Sequence, residues 1–126
     1  MNQSSGETIV DREKLLENLG GDRELLLELL CIFASEARTM FSRVHEAAKC
    51  NDAAALEHSA HSLKGSVSIF GARTIVDVSQ KLELMGRNQD LANADDCCSF
   101  LDLELARLES ELAQLERDIR AENLVS

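Results

Sequence analysis

His61, Lys64 and Gly65 share the stretch Ala60-His61-Ser62-Leu63-Lys64-Gly65-Ser66 near the middle of the chain. Steps of three and four residues place side chains on one face of a helix. With His61 set at zero on a helix of about 100° per residue, Leu56, Leu63, Val67 and Phe70 fall between roughly 180° and 240°, so the apolar stripe lies opposite and the imidazole faces water. His58 and Glu57 lie on the His61 face one turn back, and Ser68 lies two turns on. A glycine on such a face costs about 1 kcal/mol relative to alanine, and nothing local calls for a turn at Gly65. Its use is clearance: without a Cβ one turn after His61, another molecule can come close to the ring. Lys64 adds a positive charge suited to an anion carried on or near the imidazole. The three residues together suit a histidine that receives a phosphoryl group. The nucleophile is then the neutral imidazole.

Helices must hold this face outward, and the rest of the chain reads as helices. Asp11 caps a short one over Arg12 to Asn18, closed by Gly20-Gly21. Asp22 caps a long one to about Lys49, whose stripe is Leu26, Leu29, Leu30, Phe33, Ala37, Met40, Phe41, Val44 and Ala48. Asp52 caps the helix of His61, about Ala53 to Phe70, and Gly71 ends it. A fourth runs from Ala72 to Met85, followed by a polar loop, Gly86-Arg87-Asn88-Gln89-Asp90. The last begins at Asn93 or Asp95 and reaches Ala121, with Leu101, Leu105, Leu108, Leu112, Leu115 and Ile119 as a heptad seam. Short loops between long amphipathic helices predict an all-α, antiparallel up-and-down four-helix bundle with an additional short N-terminal helix. Residues 1–10 read as a flexible lead-in, 11–121 as the bundle and 122–126 as a tail.

Composition narrows the function. The 126 residues contain no proline, and the net charge of −10 disfavours nucleic acid and anionic membranes, which need clustered cations. No apolar run is long enough to span a bilayer, and the N-terminus lacks the basic and apolar regions of a signal peptide. Cys31, Cys50, Cys97 and Cys98 form no C-x-x-C pair and read as reduced thiols of a cytoplasmic protein. His58 and His61 share a face, but no third ligand accompanies them and Lys64 would repel a cation, so no metal is expected. His45 has no partner legible in the sequence. No Gly-rich phosphate loop is present, so no ATP-dependent kinase activity is expected. An alternative from another class is a helical interaction module that dimerises through the Leu101–Ile119 seam; the domain's own helices can fill that seam too, which favours a monomer.

The central stretch resembles the H-x-L-K-G-[SA] motif of histidine-containing phosphotransfer (HPt) domains, carried here by His61-Ser62-Leu63-Lys64-Gly65-Ser66. The flanks agree: Ala60 before the histidine, then Phe70-Gly71-Ala72 and Leu82-Glu83, within a similarity running from about Leu15 to Leu112. The resemblance implies that Nε2 of His61 accepts a phosphoryl group from a receiver-domain aspartate and relays it reversibly to another receiver in two-component signalling. It implies charge support from Lys64 and access at Gly65; the shared helix face, read from spacing, puts His58 and Ser68 where a partner would make contact. Some members carry a glutamine twenty-two positions after the histidine that supports the imidazole; here that position is Glu83. The implied partners are receiver domains of response regulators or hybrid histidine kinases. They bring the Mg²⁺ and a lysine of their own, so this chain needs no cofactor.

Overall fold

The computed structural model describes residues 9–125, with side chains to residue 122. Among the described residues there are five α-helices and no strand: α1 (Arg12–Asn18), α2 (Arg23–Lys49), α3 (Ala53–Ser68), α4 (Arg73–Arg87) and α5 (Ala94–Val125). The lead-in expected over residues 1–10 lies mostly outside them. Asp11, Asp22 and Asp52 cap α1, α2 and α3 as their positions predict: each carboxylate accepts from the backbone N–H three residues on, at Lys14, Leu25 and Ala55.

Cross-helix pairs fix the direction of each helix. Phe33 packs edge-on against Phe70 at 5.1 Å between ring centroids, and Ser66 Oγ lies 3.3 Å from Met40 Sδ, so α2 and α3 run antiparallel. Arg87 pairs with Glu57 while Glu83 meets His61 and Lys64, which makes α3 and α4 antiparallel. Arg38 of α2 pairs with Asp102 and Glu109, and Arg23 with Glu122, which sets α5 antiparallel to α2. The α4–α5 contact closes the ring. The short helix α1 is tied to α5: the N–H groups of Ile9 and Val10 donate to the Glu111 carboxylate at 2.8 and 3.0 Å, and Arg12 pairs with Glu122.

The core follows the stripes read from the sequence, except that Leu29, Met40 and Phe41 of the expected α2 stripe are only partly buried. Leu26, Leu30, Phe33, Ala37 and Val44 of α2 are buried, as are Leu56, Leu63 and Val67 of α3. In the last turns of α2 it is Ala47 that is buried, while Ala48 is only partly covered. The heptad seam of α5, Leu101 through Ile119, is buried at every position by the protein's own helices. The seam is therefore packed inside the bundle, against the protein's own helices.

Helix ends differ from expectation at three places. α3 stops at Ser68, and the chain tightens through three-residue bonds from Phe70 N–H to Val67 O and from Gly71 N–H to Ser68 O. α5, expected to close at Ala121, continues to Val125. The third difference matters for the site. α4 does not end before Gly86. It runs to Arg87 and closes on Gln89, whose φ is +56°, with Asp90 N–H bonded to Met85 O and Gln89 N–H to Gly86 O. That is a Schellman closure, and a glutamine occupies the left-handed position that glycine usually takes. The glycine itself is buried inside the helix.

Candidate functional site

α3 turns Leu56, Ala60, Leu63 and Val67 into the core and leaves the His61 side chain 66% exposed on the opposite face. The ring is held from the neighbouring helix. Nδ1 lies 3.0 Å from Oε2 of Glu83, whose side chain is only 8% exposed. An ionised carboxylate only accepts, so its contact assigns the proton to Nδ1 and leaves the lone pair on Nε2.

Two cations hold Glu83 in turn. Lys64 Nζ lies 2.7 Å from Oε1, and an Arg87 guanidinium nitrogen lies 3.4 Å from Oε2. The Nε of Arg87 also donates to Glu57 at 3.0 Å. Lys64 draws the Glu83 carboxyl below its ordinary range, burial opposes it, and His61 adds to the lowering. The carboxylate is therefore ionised at neutral pH. Near an incoming anion a bare carboxylate would repel, and the flanking ammonium and guanidinium offset that charge.

Each residue singled out in the sequence has a definite place. Lys64 is near the imidazole as expected, yet its ammonium is engaged by Glu83 rather than standing free. Gly65 is exposed, and a Cβ built there would meet nothing within 4 Å, so approach from solvent is open. His58 is exposed one turn before His61. Ser68 turns back on its own helix, its hydroxyl donating to the Lys64 carbonyl at 2.6 Å. Beyond Gly65 the surface becomes apolar, with Ile32 57% and Ile69 46% exposed along a shallow α2–α3 groove. His45 stacks on Phe41 at 5.7 Å, away from the site.

Arg87 was missed in the sequence because it was placed in a loop. Its signal was present: a glutamate and an arginine four residues apart share a helix face. Among the described residues no group of three or more His, Cys, Asp or Glu side chains could hold a metal ion. All four cysteines are free; Cys31 and Cys50 are exposed, and burial pushes the Cys98 thiol up to about 11. No described helix is long and apolar enough to cross a membrane. What remains is an oriented imidazole on an open helix face.

The comparisons with known proteins agree with this geometry. The chain is similar to histidine-containing phosphotransfer protein B (HptB) from Pseudomonas aeruginosa PAO1, whose crystal structure matches it with a TM-score of 0.80 at 25% sequence identity, over 87% of this chain and 96% of that chain. A comparison with curated proteins gives no match. The model of the Hpt domain family matches residues 28–121, a span that holds α3, α4, most of α2 and α5, and every side chain of the site. With that span and this bundle, the chain belongs to the Hpt domain family.

Proposed function

We propose that His61 is the phosphoacceptor of a two-component phosphorelay, taking a phosphoryl group from the aspartate of one receiver domain and handing it to another. The observation that carries this reading is the bond from Nδ1 of the exposed His61 ring to the buried Glu83 carboxylate. It supports the tautomer with the proton on Nδ1, which leaves the Nε2 lone pair free to attack. Nε2 attacks the phosphorus of the aspartyl phosphate, a P–N bond forms, and the P–O bond to the aspartate breaks with its electron pair leaving on the carboxylate. The ring now carries positive charge and keeps its Nδ1 proton, and Glu83 stabilises both. The reverse transfer follows the same path, because an acyl phosphate and a phosphohistidine are both high-energy species.

Such a transfer depends on positioning and charge neutralisation rather than on covalent work by the protein. Lys64 and Arg87 keep the Glu83 charge from opposing the phosphoryl oxygens. Magnesium belongs to the receiver in this reading, as does the second lysine. The exposed apolar pair Ile32 and Ile69 beside Gly65 supports docking of a receiver over the α2–α3 face. Free, exposed thiols at Cys31 and Cys50 support a reducing, cytoplasmic setting.

The test is transfer from a receiver domain loaded with ³²P on its aspartate. Wild type takes up an acid-labile, alkali-stable label. The His61→Gln variant takes up none while its helical circular dichroism stays that of wild type. Label retained in His61→Gln would overturn the assignment.

A further inference from the structure

Two glycines lie in the helices of the site, and their surroundings are opposite. A Cβ at Gly65 would meet open space. A Cβ at Gly86, in the last turn of α4, would lie 2.6 Å from the carbonyl oxygen of Ala53, 2.6 Å from the backbone N of Glu57 and 2.9 Å from the Cα of Glu57. These are main-chain atoms of the first turns of α3. They cannot swing aside as a side chain could, so any larger residue at position 86 forces the two helices apart. Bringing 2.6 Å up to the 3.4 Å of ordinary contact takes most of an ångström.

The site lies one turn away along both helices. Glu83 precedes Gly86 by three residues, and His61 follows Glu57 by four. From its buried stem on α4, Glu83 reaches across to His61 Nδ1 at 3.0 Å and to Lys64 Nζ at 2.7 Å. Arg87, next to Gly86, reaches Glu57 at 3.0 Å. Parting the helices at Gly86 adds most of an ångström to a 3.0 Å bond, which takes it out of hydrogen-bonding range.

We propose that Gly86 is a positioning residue: the backbone-to-backbone approach of α4 on α3 that it permits is what lets Glu83 hold the His61 imidazole with its proton on Nδ1. Gly86 touches neither the ring nor the phosphoryl group and acts through Glu83 alone. Its effect on transfer rests on His61 being the phosphoacceptor; its effect on the imidazole tautomer does not.

The test combines two readouts on the full chain: the tautomer of the neutral His61 ring from ¹⁵N chemical shifts, and the rate of phosphoryl transfer from a loaded receiver. Wild type is expected to hold the Nδ1–H form. In Gly86→Ala the ring relaxes toward the Nε2–H form favoured by free histidine, and transfer slows by at least about tenfold. Glu83→Asp, which shortens the reach by about 1.5 Å without touching the helix contact, is expected to do the same. In a Glu83→Ala background, Gly86→Ala slows transfer no further. Leu115→Ala, remote in the α5 core, lowers stability and leaves the tautomer unchanged.

Wild-type tautomer and rate in Gly86→Ala would overturn the proposal. So would the wild-type tautomer in Glu83→Asp, because the hold on the ring would then not depend on how closely α4 approaches α3. Equal slowing by Gly86→Ala with and without Glu83 would overturn it as well, because the glycine would then act by another route. If wild type accepts no phosphoryl group, the relay reading fails, and the tautomer comparison still decides the role of Gly86.

Discussion

At the scale of single residues, Glu83 joins stability to chemistry. Its carboxyl is held low chiefly by Lys64, so the folded form has the lower pKa and the ion pairs stabilise the protein above the carboxyl's ordinary value of 4.5. That contribution is lost as the pH falls through the lowered folded value. The stability advantage of wild type over Glu83→Gln, measured by urea unfolding, is therefore expected to hold at neutral pH and to shrink below about pH 4.5. Lys64→Ala removes the main cause of the lowering, so the acid loss moves to higher pH. An advantage that stayed constant down to about pH 3 would contradict the charge assignment at Glu83. The placement of His61, Lys64 and Gly65 on one helix face opposite the core was legible in the sequence, because it follows from spacing along a single helix. Glu83 was reached only through resemblance, since its contact crosses between helices and local periodicity carries no sign of it. Gly86 and Arg87 were misplaced for one reason. Glycine is a poor helix former, and local propensity read Gly86 as a stop, whereas the packing of α4 on α3 demands a residue without a Cβ there.

At the scale of elements, the three-and-four spacing of apolar residues gave all five helices, because each helix buries one stripe and shows water the other. Boundaries were less legible. The end of α4 was missed because its closure rests on a non-glycine residue in left-handed conformation, Gln89 with φ of +56°, whereas α2 ends at Lys49 as expected although Asn51 closes it in the same way. α5 allows a direct test of the stripe. Leu108 is fully buried and Leu103 is 68% exposed on the same helix. Leu108→Ala is expected to cost about 2–5 kcal/mol in urea unfolding, as a truncated core leucine does. Leu103→Ala is expected to stay within about 0.5 kcal/mol of wild type. Similar losses at both positions would contradict the placement of α5.

At the scale of the whole molecule, the bundle is a closed ring of four antiparallel helices with α1 braced against α5. Its heptad seam is consumed internally, so the chain is expected to sediment as a monomer of 13.9 kDa across a wide concentration range. A reversible dimer weakened by substitution along Leu101–Ile119 would contradict that. The fold class was legible because patterning alone separates a bundle from other architectures. The closeness of α3 and α4 was not, because it depends on where two backbones meet in space. That closeness lets Glu83 orient the exposed His61 imidazole, and the identity of the reacting ring atom follows from that orientation. The most direct measurement is NMR of the ¹⁵N-labelled, phosphorylated protein, read at both ring nitrogens. Phosphorus is expected on Nε2 of His61, with the proton retained on Nδ1 toward Glu83. Phosphorus on Nδ1, or on any residue other than His61, would contradict it.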